Sequence, residues 1–298
     1  VVDGILNINK SLHMTSHDVV AKVRKILKQK RVGHTGTLDP EASGVLPICV
    51  GQATRVAEYL SESGKAYQAT VTFGTVTDTY DAEGVVLRTA DISTLTRPQI
   101  EEALTHFRGP QLQLPPRFSA IKIQGQPAYK LARAGEEIKL EPRPVDIRSL
   151  EIISWDAPHM ILNVACSKGT YIRSLAYDIG EHIGCGAYLT GLVRTQSGPF
   201  GLSDSITLEQ LAQAYEQGTL TQHLFPADFA LQSYPALHLD EQVTQRVLHG
   251  NAFSYPEQDP GSVTSAGLGR VYGSDGQFLA IATWDAEQQQ WKPKKVLV

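Results

Sequence analysis

The sequence predicts an α+β fold with a small separate β-rich domain at its C-terminal end. Three observations carry this. Segments of strand period and helix period are mixed along the chain without a regular βαβ rhythm, which argues against a doubly wound sheet. With 298 residues, 42% of them hydrophobic and 19% charged, the chain has globular composition and is long enough for about two domains. Near Ser233-Tyr234-Pro235 the composition shifts, and beyond it short apolar runs are broken by Gly and Asp, as in GLGRVYGSDGQFLAIATWD. The expected division is 1–232 and 233–298.

The elements follow in chain order. Residues 4–9 (GILNIN) read as a short strand. Thr15 and Asp18 have the spacing of a capping box ahead of the stripe Val19, Val20, Val23, Ile26 and Leu27, so a helix is expected over about 16–30. Residues 53–62 repeat the helical pattern. In 66–73, Tyr67, Ala69, Val71 and Phe73 alternate with Gln68, Thr70 and Thr72, the signature of a half-buried strand. Residues 74–96 are turn-rich and acidic, and Pro98 then opens a helix bearing Ile100, Leu104 and Phe107. Residues 109–144, rich in Gly, Pro and bases, are too long for a plain connection, and long loops of this kind are usually functional. Strands are expected near 145–153 and 159–166. A helix then carries Leu175, Ala176, Ile179 and Ile183 inward, with Thr170 as its cap, and a further helix covers 207–216.

Composition also narrows the function. Cys49, Cys166 and Cys185 are an odd number without C-x-x-C spacing, which excludes a disulfide scaffold and a four-cysteine zinc site and fits a reducing, cytoplasmic setting. No apolar run reaches the ~18 residues of a membrane span, and VVDGILNINK does not read as a signal peptide. The net charge of −4 argues at first against a nucleic-acid partner. Its distribution says otherwise. Residues 203–260 hold eight acids and one base, leaving the remainder at +3, and Lys22, Arg24, Lys25, Lys28, Lys30 and Arg31 fall within ten residues without an acid. Such a run is compatible with RNA; charge alone reads it more readily as a solvated helix face.

Familiar cofactor motifs are missing. There is no G-x-x-x-x-G-K-[ST], Gly267-Leu268-Gly269 lacks the rest of a dinucleotide fingerprint, and no H-E-x-x-H occurs to suggest a metal. Asp78 and Asp81 read as solvated turn residues. One segment is unusual. Gly33-His34-Thr35-Gly36-Thr37-Leu38-Asp39-Pro40-Glu41-Ala42-Ser43-Gly44 surrounds a single His and a single Asp with glycines and hydroxyls. Glycine admits close backbone approach, and Pro40 restricts Asp39 to extended conformations. An aspartate held there is a candidate nucleophile or base, although Asp-Pro is also an ordinary turn opener.

GHTGTLDPEASGVLPICVG resembles motif II of the bacterial tRNA pseudouridine-55 synthase (TruB) family. GILNINKSLHMTSHDVV is similar to that family's opening motif and Lys65-Ala66-Tyr67 to its K-x-Y motif. PPRFSAIKIQGQPAYKLARAG is similar to its RNA-contacting insertion, and CSKGTYIRSLAYDIGEHIGCGAYLTGLVRTQSGPF to its third catalytic motif. Departures are Ser11 after Asn9-Lys10, Glu41 after Asp39-Pro40, and Val193 between Leu192 and Arg194.

The resemblance implies a pseudouridine-synthase fold, with a mixed, largely antiparallel sheet flanked by helices, and a C-terminal PUA-like β-barrel. It implies a uridine of the T-stem loop of tRNA as substrate, isomerised without cofactor or metal. It assigns the nucleophile to Asp39 and its guanidinium partner to Arg173; an opposite charge keeps a pocketed carboxylate ionised, and arginine's fork suits this better than lysine. It places Tyr67 against the target uracil, as a stacking wall and a candidate acceptor of the C5 proton. Tyr171 and Leu192 would line the pocket, and His34 would fill the space a flipped base vacates. Without the resemblance, Tyr67 and Leu192 read as core residues and His34 as a loop histidine. Lys22, Lys25 and Lys28, with Arg117, Lys122, Lys130 and Arg133 of the insertion, would meet phosphates. No obligatory protein partner and no membrane are implied, and a monomer is the default. A guide-RNA-dependent synthase subunit and a tRNA-folding chaperone remain as alternatives. A carboxylate-pair glycosidase lacks a second rigidly placed acid.

Overall fold

In a computed structural model, the structure describes residues 2–119, 121–123, 125–134, 136, 139–255 and 267–297, with the side chains of 122, 123, 127, 129, 132 and 133 outside that description. The chain forms two compact units. One comprises Val1–Asp39, Val45–Glu62 and Gly198–Val298; the other comprises Pro40–Gly44 and Ser63–Ser197.

In the first unit, β1 (Gly4–Lys10) leads to α1 (Ser16–Leu27). The capping box forms as expected: Thr15 Oγ1 accepts from Asp18 N at 3.0 Å, and Asp18 Oδ2 accepts from Thr15 N at 2.9 Å. The helix stops at Leu27 rather than near 30, because Lys28 turns left-handed at φ 51° and its N–H returns to the Arg24 carbonyl. Then β2 (Val32–His34) pairs antiparallel with the later part of β3 (Ala42–Val50), His34 opposite Ile48. A 3-10 turn (Gly51–Val56) and α2 (Ala57–Ser61) replace the single helix expected over 53–62. Val19, Val20, Val23 and Leu27 of α1 pack with Leu6, Ile8, Leu46 and Ile48. This is the amphipathic stripe read from the sequence.

The second unit begins on the first residues of β3 and continues with β4 (Lys65–Phe73). The turn-rich stretch after it contains a hairpin, β5 (Thr75–Thr77) against β6 (Val86–Thr89). There follow α3 (Arg97–Thr105), β7 (Gly109–Gln113), β8 (Lys122–Ile123), β9 (Gln126–Pro127) and α4 (Ala128–Arg133). The unit ends with β10 (Arg143–Asp156), β11 (His159–Cys166), α5 (Ile172–Ile183) and β12 (Ala187–Ser197). The strands run in the order β3-β12-β4-β11-β10-β7. The β12–β3 pair is parallel and the others antiparallel, so the sheet is mixed and largely antiparallel. The sequence pattern did not disclose β12, whose alternation is broken by irregularities between Leu189 and Gly191 and between Arg194 and Gln196.

Returning to the first unit, β13 (Phe200–Gly201), α6 (Leu208–Glu216) and β14 (Leu224–Phe225) follow, β14 pairing with β1. The last part has β15 (Ala236–His238), α7 (Glu241–Leu248), β16 (Leu268–Tyr272), β17 (Phe278–Asp285) and β18 (Gln290–Val296). Its strands form a four-stranded sheet in the order β15-β16-β17-β18. Leu268, Ile281 and Leu297 share a core with Ile5, Val45, Cys49 and Leu60, and the Arg270 guanidinium, Tyr272 hydroxyl and Asp228 carboxylate join beside it. Among the described residues no helix is long and apolar enough to cross a membrane. All three cysteines are free and buried, and burial pushes the Cys49 thiol up to about 12.

Candidate active site

In the first unit the glycine-rich loop leaves β2 after His34 and ends at Asp39. Ser16, buried in the first turn of α1, clamps it. Its Oγ accepts from Leu38 N at 2.8 Å and donates to Leu38 O at 3.1 Å. Thr35 O accepts from Ser61 Oγ at 2.9 Å, which fixes the start of the same loop. Two hydroxyls thus hold the loop's backbone, beside the Thr35 N–H, which donates to Pro47 O of β3 at 3.2 Å. Asp39 is exposed and immediately follows the clamped Leu38. His34 is half-buried; its Nδ1 accepts from Gly36 N at 3.3 Å, and its ring meets His17 of α1 edge to face, 5.3 Å between centroids.

The second unit gathers the other expected pocket residues. Tyr67, 9% exposed, lies on the buried face of β4 opposite Arg194 of β12, and Leu192 lies opposite Ala69. Residues directly opposite on antiparallel strands share a face, so Tyr67 and Leu192 are diagonal neighbours. Leu192 and Arg194 also register with Ala42 and Gly44 of β3. Gly44 sits at φ 101° against the backbone of Arg194, where a Cβ would collide with the Arg194 carbonyl. Only glycine lets these two strands close here.

Arg173 is buried at the start of α5. Its Nη1 lies 3.1 Å from Asp81 Oδ2 and donates to Thr79 O at 3.4 Å, and its Nη2 donates to Phe118 O at 3.0 Å. Asp81 is thus no solvated turn residue: its side chain is 18% exposed. Its Oδ1 accepts from Thr79 Oγ1 at 2.5 Å and from Glu83 N at 3.1 Å. Thr170 is not the helix cap; its hydroxyl donates to Ser167 O, and the cap position is taken by Tyr171, half-buried, without a side-chain capping bond.

Along α5, Tyr177 stacks on Tyr80 at 4.0 Å. Asp178 is pushed up to about 6 by burial, reinforced by Glu181. The expected phosphate contacts fall in both units. In the first, Lys22 and Lys25 are exposed on α1, and so is Lys28, the residue that caps it; in the second, Lys130 is exposed on α4. Arg133 falls on α4 by its backbone, and its side chain, like that of Lys122, lies outside the described residues.

Sequence reasoning missed Asp81, Gln113 and the fully buried Arg194. The signal at Asp81 was the run Thr77-Asp78-Thr79-Tyr80-Asp81, whose hydroxyls and acids close a tight hairpin. Gln113 had none, because what distinguishes it is contact with a residue far along the chain; Arg194 lies in the stretch matched to the third catalytic motif, where the resemblance assigned it no role.

Known proteins resemble the chain over most of its length. The family model described as "TruB family pseudouridylate synthase (N terminal domain)" matches residues 24–172. "tRNA pseudouridylate synthase B C-terminal domain" matches 173–232, and "Pseudouridine synthase II TruB, C-terminal" matches 235–297. A tRNA pseudouridine synthase B of Pseudomonas putida is 45% identical over 283 residues, spanning 94% of this chain and 91% of its own. That of Symbiobacterium thermophilum is 49% identical over 254 residues, spanning 84% and 83%. Among solved structures, a Cbf5-Nop10-Gar1 complex is similar with a TM-score of 0.77 at 26% identity, over 99% of this chain and 85% of that one. The glycine-rich loop, the K-x-Y strand and the arginine that opens α5 thus sit in a chain that belongs to the TruB family of pseudouridylate synthases.

Proposed function

We propose that this protein isomerises the uridine at position 55 of the tRNA T loop to pseudouridine, with Asp39 as nucleophile. The observation that carries the reading is the Ser16 clamp on Leu38, which fixes the backbone one residue before an exposed carboxylate. A nucleophile that must meet a flipped nucleotide gains most from such preorganisation. In the reaction the N1–C1′ bond breaks, the base turns, C5 joins C1′, the C5 proton leaves and N1 takes up a proton. Substrate and product have the same atoms, so no oxidant or second substrate is consumed.

Tyr67 stacks on the uracil and takes the C5 proton. Tyr171 and Leu192 line the pocket, Arg173 balances the carboxylate charge, and His34 fills the vacated stack. Lys22, Lys25, Lys28, Lys130 and Arg133 meet phosphates. In the same reading, residues 1–232 form the catalytic domain, 233–298 a PUA-like RNA-binding barrel, and the protein acts in the cytoplasm as a monomer.

Asp39→Asn tests the assignment. Tritium release from tRNA labelled at uridine C5 falls to background while tRNA still binds; turnover near wild type overturns the assignment. Wild-type activity on a bare T-stem-loop transcript is expected, and a requirement for a guide RNA or accessory protein would favour the guide-dependent alternative.

A further inference from the structure

We infer that Gln113 is a positioning residue for this reaction: its side-chain amide fixes the backbone of Tyr171, and with it the first turn of α5 that presents Arg173. The inference deepens the proposed function and rests on its placing Tyr171 and Arg173 at the reacting base.

Gln113 is the last residue of β7 and is 4% exposed. Its Oε1 accepts from Tyr171 N at 2.8 Å, and its Nε2 donates to Tyr171 O at 3.0 Å. One amide thus takes both backbone groups of one residue, as a paired strand residue would. Tyr171 needs this. It is extended at φ −98° and ψ 111°, no side chain caps the helix there, and its carbonyl also accepts the first helical bond, from Leu175 N at 3.0 Å. The orphan donors of a helix start normally find a capping side chain at the N-cap. Here the Tyr171 N–H, at the cap position itself, finds one 58 residues away.

The tie continues past Gln113. Ser174 Oγ donates to Leu114 O at 2.8 Å, and Arg173 Nη2 donates to Phe118 O at 3.0 Å. Residues 171–174 are therefore laced to residues 113–118, which lead into the basic segment proposed to meet RNA. Of these ties, Gln113 is the one made by a side chain of the 113–118 segment, and it holds both backbone groups of Tyr171. A merely structural glutamine would affect stability alone. A positioning one lowers the rate of the chemical step through Arg173 and leaves RNA affinity in place.

The test uses the full chain and a T-stem-loop RNA. Gln113→Met keeps the volume and removes both hydrogen bonds. Gln113→Glu keeps the size and sets a carboxylate oxygen against the Tyr171 carbonyl. Both are expected to lower the single-turnover rate roughly 10–100-fold, with an unchanged Kd for RNA and a cooperative thermal transition. In an Arg173→Lys background, Gln113→Met is expected to add little further loss, since both act on one element. A wild-type rate in either variant overturns the inference. So do losses that multiply fully with Arg173→Lys or that merely track the unfolding midpoint. Asp39→Asn separates the two levels: if it stays active, the proposed function fails. If it is inert while Gln113→Met turns over normally, only the role of Gln113 fails.

Discussion

The loop that ends at Asp39 and the scaffold that holds Arg173 are built by opposite means. The first is local: the five residues Thr35-Gly36-Thr37-Leu38-Asp39, clamped by Ser16 only 22 positions away. The second is assembled from distant pieces, with Asp81 92 positions before Arg173, Phe118 55 before it, and Gln113 58 before Tyr171. Rigid presentation of a carboxylate is achieved by backbone restriction, whereas a buried guanidinium needs partners for its fixed fork of donors, wherever the chain supplies them. Substitutions in the two regions should therefore fail differently, the first in rate with modest loss of stability, the second in both.

The largest effect is expected at Asp81. Removing one partner of a buried ion pair costs on the order of 3–5 kcal/mol. Asp81→Ala should therefore lower the thermal midpoint sharply and reduce single-turnover pseudouridine formation by roughly 100-fold or more. Should midpoint and rate both match wild type, Arg173 does not depend on the hairpin, and the contrast between the regions collapses. Ser16→Ala comes next. It leaves the buried Leu38 N–H and C=O without their partner, a penalty of about 1–3 kcal/mol. The expected result is a rate lowered about tenfold with tRNA affinity unchanged; a lower affinity at normal rate would mean that the clamp serves binding.

This asymmetry also explains what could be read in advance. The α1 stripe, the Thr15–Asp18 box, the alternating face of β4 and the loop around Asp39 were legible, because each depends on spacing within a few residues. The resemblance to a family supplied Arg173, Tyr171 and Leu192, which spacing alone does not single out. Asp81 was misread because an acid in a turn is ordinarily solvated; only the arriving Arg173 makes it otherwise. Gln113 looks like any polar strand residue until its partner is known. β12 escaped because two bulges interrupt its period.

A smaller effect concerns charge in the first region. Lys22 and Lys25 are exposed on α1, and so is Lys28, the residue that caps it. Replacing all three with Gln should flatten the plot of log affinity against log salt, by about 0.7–0.9 for each phosphate that is no longer neutralised. An unchanged slope would place the RNA elsewhere and leave the basic helix a solvated face.

The smallest effect is a pH dependence on the helix that carries Arg173. Asp178 is pushed from 3.8 to about 6, first by burial and then by the nearby Glu181, which itself pairs with Arg88. In the unfolded chain the same carboxyl titrates near its ordinary value. Between about pH 4 and 6 the folded state therefore holds more protons than the unfolded one, so this group's contribution to stability falls as pH rises through that window and is flat above it. Asp178→Asn keeps the shape without the charge. After allowance for partial solvent access, the gain above pH 6 should be on the order of 1 kcal/mol, a rise in thermal midpoint of about 2–4 °C, vanishing near pH 4. Thermal unfolding of both proteins at pH 4.5, 6 and 7.5 measures it. A gap of constant size across these values would mean that Asp178 is not the titrating group. A wild type more stable at pH 7.5 would mean that its carboxylate is held by a favourable contact, and that this helix bears no electrostatic strain for presenting Arg173.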